Sequence, residues 1–246
     1  MKILILAAGY GTRLASIAKD TPKPLLAIHN KPMIDYILEK VADLPETSEV
    51  VVVTNNKFCS HFERWAQSKE DLRVKIRIVN DGTDTPEQRL GSVGDIRFVW
   101  KKETTVDDWL VVGGDNVFDF SIREFVHFSK EKSPAITIGL YDIGDIKAAS
   151  KFGVVTKNAQ NKIIELKEKP QNPVSSSIAM CFYYFPKATL NFIDDYIKET
   201  TSTDAAGGYI QWLAAKKNVY GFQFQGKWYD IGSLESLDEA QKYFSR

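Results

Sequence analysis

The sequence predicts an α/β protein built on a doubly wound, mostly parallel sheet, and three observations predict it. The run Lys2–Ala8 is apolar after its first residue, as a central strand covered on both faces must be. Through the first half of the chain such runs alternate with segments of helical spacing, which is the order that lays down parallel strands. The second half then turns to strand-like segments joined by turn signals, which adds a small β-rich elaboration. A length of 246 residues fits one domain of this kind. We therefore expect a single domain over 1–246, with halves 1–134 and 135–246.

Each element has its own reason. After Lys2–Ala8 a loop runs through Pro24. Pro32–Leu44 carries Met33, Ile34, Ile37, Leu38 and Val41 at helical spacing. Glu49–Thr54 is a second buried strand, and Phe58–Gln67 a helix. Arg73–Val79 alternates charged and apolar residues, which suits an outer strand. Gly91–Lys101 reads as a helix and Trp109–Val112 as a buried strand. Ala135–Tyr141, Gly153–Lys157, Lys162–Leu166 and Ile178–Phe185 are strand-like, with a turn at Lys157–Asn161. Helices are expected at Lys187–Thr200 and Gly208–Lys217, a late strand at Val219–Gln225 and a closing helix at Ser233–Ser245.

The bulk numbers exclude several classes. Lys plus Arg and Asp plus Glu balance at 32 each, so no basic excess points to nucleic acid or an anionic membrane. No apolar stretch approaches a bilayer span. The apolar N-terminus runs into turn residues without a cleavage region, so it reads as a strand and not a signal peptide. Cys59 and Cys181 form no CxxC pair, and both read as buried small residues in a reducing, cytoplasmic setting. His29, His61 and His127 show no metal spacing.

The first strand runs into Gly9-Tyr10-Gly11-Thr12-Arg13. Two glycines let the backbone approach an oxyanion, and turn N–H groups cradle phosphate. Arg13 adds a planar, permanent charge. Lys23 follows between Pro22 and Pro24, which stiffen the chain around its ammonium. Leu14 breaks GxGxxG, and no Gly-Lys pair makes a P-loop. Trp109–Val112 ends in Gly113-Gly114-Asp115-Asn116, and a carboxylate past the end of a central strand sits where open α/β sheets bind ligands. With phosphates nearby it would suit Mg²⁺. Asp230 lies in Trp228-Tyr229-Asp230-Ile231-Gly232. Taken singly, either aspartate also reads as an ordinary turn or cap residue.

Together, Leu6–Leu14 (LAAGYGTRL), Pro22–Leu26 (PKPLL) and Lys31–Tyr36 (KPMIDY) resemble the signature of the sugar-1-phosphate nucleotidylyltransferases. The resemblance is nearly full length, and it is closest to the glucose-1-phosphate thymidylyltransferases through Gly114-Asp115-Asn116. It implies a Rossmann-like fold of the nucleotide-diphospho-sugar transferase type, with a nucleotide-binding first half and a sugar-phosphate-binding second half. It implies that Leu6, Ala8, Gly9, Gly11, Thr12 and Arg13 hold the triphosphate, with Arg13 and Lys23 as catalytic cations. By the same similarity Asp115 and Asp230 hold Mg²⁺, and Gly153, Glu168, Lys169 and Ile178 line the sugar-phosphate pocket.

Asn80 and Gly91 are carried over as nucleobase contacts, although Gln88 stands at an unusual distance from Gly91, and Glu87 and Arg89 are equally arguable. Met180 stands where the family often has glycine. The implied partners are a nucleoside triphosphate, dTTP or UTP, and a sugar 1-phosphate, glucose 1-phosphate foremost. No nucleic acid or membrane partner is expected, and a homo-oligomer is compatible with this reading. No hexapeptide repeat follows Asp230, so no attached acyltransferase β-helix is expected. Two other readings stay open: a cytidylyltransferase for choline phosphate or another small phosphate, and a non-catalytic ligand-sensing homologue.

Overall fold

A computed structural model describes residues 1–11 and 20–245 of the chain. Thr12 and Arg13 lie outside the described residues. In chain order the strands are β1 (Lys2–Leu6), β2 (Ala27–Ile28), β3 (Lys31–Pro32), β4 (Glu49–Thr54), β5 (Lys75–Asn80), β6 (Trp109–Gly113), β7 (Asn116–Phe118), β8 (Ile136–Asp142), β9 (Gly153–Lys157), β10 (Ile163–Glu168), β11 (Ser177–Phe185), β12 (Val219–Gln223) and β13 (Trp228–Asp230). The helices are α1 (Met33–Ala42), α2 (Cys59–Gln67), α3 (Gly91–Lys102), α4 (Arg123–Glu131), α5 (Phe192–Thr200), α6 (Ala206–Lys216) and α7 (Leu234–Phe244). The chain divides into two compact units. The first comprises Met1–Leu90, Val112–Ser121 and Gly226–Arg246, and the second Gly91–Val111 and Ile122–Gln225.

In the first unit β1 pairs β4 in parallel, from Lys2 opposite Glu49 to Leu6 opposite Val53, and β4 pairs β5 in parallel. Ile3, Leu4, Ile5 and Val50–Val53 are fully buried, which explains why β1 and β4 are written almost wholly in branched apolar residues. β5 forms the edge, as its alternation predicts. A second cluster surrounds the short antiparallel pair β7–β13. Ile28, Met33, Val117, Ile231 and Ala240 are buried there, with Tyr36 and Phe244 meeting edge to face at 4.9 Å. α7 starts at Ser233, whose hydroxyl accepts the Ser236 N–H in a capping box.

The second unit is richer in antiparallel pairing. β8 pairs β11 antiparallel and β12 in parallel, while β9 lies antiparallel to both β10 and β11. Phe125 of α4 sits against Phe182, Phe222 and Phe224, with ring centroids 5.3 to 5.8 Å apart. The α/β class and the β-rich second half thus match expectation.

Several elements differ from the sequence reading. α4 had no assigned element; it is short, and only Phe125, Val126 and Ser129 are buried on it. The helix expected over Lys187–Thr200 is a 3-10 turn at Lys187–Thr189 followed by α5. The break falls at Leu190 and Asn191, after a tight turn in which the Pro186 carbonyl accepts both the N–H and the hydroxyl of Thr189, at 2.8 and 2.7 Å. The cysteines are half-buried and unbridged, not fully buried. Among the described residues no helix is long and apolar enough to cross a membrane.

Candidate functional site

The glycine loop leaves β1 under constraint from its neighbours in the first unit. The Ala7 N–H donates to Val53 O at 2.9 Å, and Asn55 Nδ2 donates to Ala8 O at 2.9 Å. Asn55 is fully buried, so its amide holds the loop from beneath. Gly11 has φ +64°, a conformation that favours glycine. Tyr10 shares a 3.0 Å hydrogen bond with Thr83 Oγ1. Burial raises the Tyr10 pKa, and the Asp81, Asp84 and Glu87 charges push the same way. Gly114 passes against Leu6: its N–H donates to Leu6 O at 2.9 Å, and a Cβ there would lie 2.8 Å from that oxygen.

Lys23, held in a 3-10 turn between its prolines, donates through Nζ to Asp115 Oδ2 at 2.7 Å. The other oxygen, Oδ1, accepts from Asn116 Nδ2 at 3.3 Å. Asn116 is buried and also donates to Gly113 O at 3.0 Å, while its Oδ1 accepts Trp228 Nε1 at 2.6 Å. β13 lies beside it with Asp230 opposite Asn116, and the Ile231 N–H donates to Asp115 O at 3.1 Å. Lys23, Asp115 and the Asp230 motif are distant in sequence, and the first unit brings them together. The Asp115 side chain is 36% exposed, so an ion could reach its carboxylate. The hard oxygen of Asp115, with Asp230 on the paired strand, is the donor chemistry that suits Mg²⁺, which rarely asks for a full protein cage.

The sugar-side residues share the second unit. Gly153 begins β9 opposite Glu168, the last residue of β10, and Ala179 of β11 flanks Gly153. Ile178 is fully buried beside Val154. Lys169 takes a positive φ of 47°, uncommon outside glycine, and its N–H donates to Phe152 O at 3.0 Å. Its ammonium stands 3.6 Å from Glu168 Oε1. The pairing of β11 with β8 slips between Ala179 and Tyr183, around Met180, and such bulges re-aim side chains near sites. Tyr183 is buried, and its hydroxyl pKa is raised well above the usual value, first by burial and then by Cys181 and Glu168.

The nucleotidyl transferase family model matches residues 2–246. The chain belongs to the nucleotidyl transferase family. The chain is 29% identical over 248 residues to the bifunctional protein GlmU of Methanocaldococcus jannaschii, covering 99% of the chain and 54% of that relative. It is 28% identical over 254 residues to the glucose-1-phosphate adenylyltransferase of Fervidobacterium nodosum, covering 96% of the chain and 59% of the relative. The chain thus spans little more than half the length of these curated relatives. Among solved structures, UDP-glucose pyrophosphorylase complexed with UDP-glucose superposes with a TM-score of 0.81 at 20% identity, covering 99% and 98% of the two chains, a likeness of fold.

Two residues expected at the base are held by the chain's own backbone and side chains. Asn80 Nδ2 donates to Asn56 Oδ1 at 2.5 Å, and its Oδ1 accepts the Gly82 N–H at 2.9 Å. Gly91 has φ +77°, and a Cβ there would stand 2.5 Å from Asp204 Cα. Beside it, the Ser92 N–H donates to Asp204 O at 2.6 Å, and the Val93 and Gly94 N–H groups donate to Thr203 O at 3.0 and 3.1 Å. The first N–H groups of α3 are therefore satisfied by a loop of the same unit. Sequence reasoning missed Asn55 and the bridging role of Asn116. The signal for Asn55 is an Asn directly after a predicted strand end, while Asn116 closes the Gly113-Gly114-Asp115 turn that follows another.

Proposed function

We propose that this chain transfers a nucleotidyl group from dTTP or UTP to glucose 1-phosphate, releasing pyrophosphate. The observation that carries the reading is the Lys23–Asp115 ion pair in the first unit, with the Asp230 strand paired alongside it, three segments far apart in the chain. In this reading Leu6, Ala8, Gly9, Gly11 and Thr12 cradle the triphosphate, Arg13 and Lys23 are the catalytic cations, and Asn80 and Gly91 shape the base side. Gly153, Glu168, Lys169 and Ile178 receive the sugar phosphate. A carboxylate such as Glu168 can accept two vicinal hydroxyls at once.

Asp115 and Asp230 would hold Mg²⁺. When bound, the ion supplies charge neutralisation to the triphosphate. A sugar-phosphate oxygen attacks the α-phosphorus in line. The new P–O bond forms as the α–β bridging bond breaks, and pyrophosphate carries away the electron pair. The nucleophile is already anionic near neutral pH, since a phosphate's second pKa is about 6, so no general base is needed. Lys23, whose ammonium donates to Asp115 Oδ2 at 2.7 Å, would also meet oxygens of the triphosphate. The protein's part is alignment and preorganised positive charge.

The name of one curated relative, the glucose-1-phosphate adenylyltransferase, supports a sugar-phosphate nucleotidyl transfer and leaves base and sugar to experiment. Pyrophosphate release measured over a grid of nucleoside triphosphates against sugar 1-phosphates and choline phosphate tests the reading. The highest turnover should fall at dTTP or UTP with glucose 1-phosphate. A maximum at CTP with choline phosphate would replace it with the cytidylyltransferase reading. No release in any cell of the grid would favour a ligand-sensing homologue.

A further inference from the structure

The Glu168 carboxylate lies in a cradle whose walls are two glycines of its own unit. On one side is Gly153, its register partner, where an added Cβ would come 3.1 Å from Oε2. On the other is the first turn of α6. A Cβ on Gly207 would overlap Oε2 and stand 2.5 Å from Cδ and 2.9 Å from Oε1. One helical turn further on, Gln211 Oε1 accepts the Glu168 backbone N–H at 2.8 Å. Positions four apart share one helix face, so a single stripe of α6 touches both the side chain and the main chain of Glu168.

The Glu168 side chain is 24% exposed, and its ionic neighbour Lys169 stands beyond hydrogen-bond reach at 3.6 Å. Its oxygens are therefore open to donors from a ligand. Glycine is a poor helix former, so Gly207 weakens α6 locally, and the space it leaves is filled by Glu168.

We propose that Gly207 and Gln211 are positioning residues: α6 fixes where the Glu168 carboxylate stands, and so how sugar hydroxyls are met. This rests on the sugar-pocket role given to Glu168 above. A side chain at position 207 would expel the carboxylate from its cradle. Loss of the Gln211 amide would free the end of β10 from α6.

The test is steady-state kinetics with glucose 1-phosphate varied, using dTTP or UTP, whichever supports pyrophosphate release. Wild type is compared with Gly207→Ala, Gln211→Ala, Glu168→Ala and the double variant Gly207→Ala/Glu168→Ala. Gly207→Ala should raise the sugar KM on the order of ten- to a hundredfold, the scale of a misplaced contact, with the nucleotide KM unchanged. Gln211→Ala should move it the same way by less. In the Glu168→Ala background Gly207→Ala should add nothing, whereas a purely structural lesion would persist there and would also disturb the nucleotide KM.

Gln211 is exposed on α6, so its variant carries the test should Gly207→Ala fail to fold. Wild-type sugar KM in both variants, or a Gly207→Ala effect undiminished without Glu168, would overturn the inference. An unchanged sugar KM in Glu168→Ala, or no turnover by wild type, would instead strike the function on which it rests.

Discussion

Lys23 is the residue on which the proposed chemistry turns. Its ammonium already sits 2.7 Å from Asp115 Oδ2, so the cation stands beside the carboxylate proposed to receive the metal. A group that acts on the transition state lowers turnover when removed, and leaves substrate binding comparatively intact. Lys23→Ala should therefore reduce kcat by about a hundredfold or more, the scale of losing one preorganised donor, with the sugar KM within a few-fold of wild type. Near-wild-type turnover in that variant would remove Lys23 from the mechanism. Lys23 and Asp115 were legible in the sequence because rare local chemistry marks them, two flanking prolines in one case and a strand end in the other. Asn55 and Asn116 were less so. Their work lies in buried hydrogen bonds to Ala8 O and Trp228 Nε1, and those partners are chosen by tertiary structure.

At the scale of elements, two junctions make testable demands. α3 begins at Gly91, whose positive φ and closeness to Asp204 leave no place for a side chain. Gly91→Ala should destabilise the protein by about 2 kcal/mol or more, combining backbone strain with overlap, and a urea melt would show it. An unchanged midpoint would mean that the α3 junction adapts freely. The second junction joins β1, β4 and β5. Partial burial raises the Glu49 pKa, but the two-pronged bond from Arg77, at 3.0 and 3.2 Å, and Lys2 at 3.3 Å outweigh it, and the net shift is downward.

A depressed carboxyl contributes stability that is complete above its unfolded value, near 4.5, and is lost as pH falls through the lower folded value. Glu49→Gln should lose stability at neutral pH and show a shallower decline than wild type below about pH 4.5 in thermal melts. Parallel declines in the two proteins would contradict the assignment. Most of these elements were readable from periodicity, because β1, β4 and β6 are uninterrupted apolar runs. α4 and the break after Thr189 were not. One is a short helix with few buried positions, and the other depends on a turn closed by a threonine hydroxyl.

The whole molecule has balanced charge, so the Lys23–Asp115 pair is a local arrangement and not a reflection of composition. Its central feature is that the first unit gathers the start, the middle and the end of the chain. The α/β class could be read from strand order, and so could the family, from motifs spread along the full length. What joins Asp115 to Asp230 could not, because the β7–β13 pairing is three residues long on each strand and carries no pattern of its own. The measurement that bears most directly on this convergence is the Mg²⁺ dependence of pyrophosphate release in Asp115→Asn, Asp230→Asn and the double variant. Two carboxylates serving one nucleotide-bound ion act as a unit, so each single substitution should abolish activation by Mg²⁺ and the double should be no worse. A folded Asp230→Asn enzyme with wild-type Mg²⁺ activation would contradict the account.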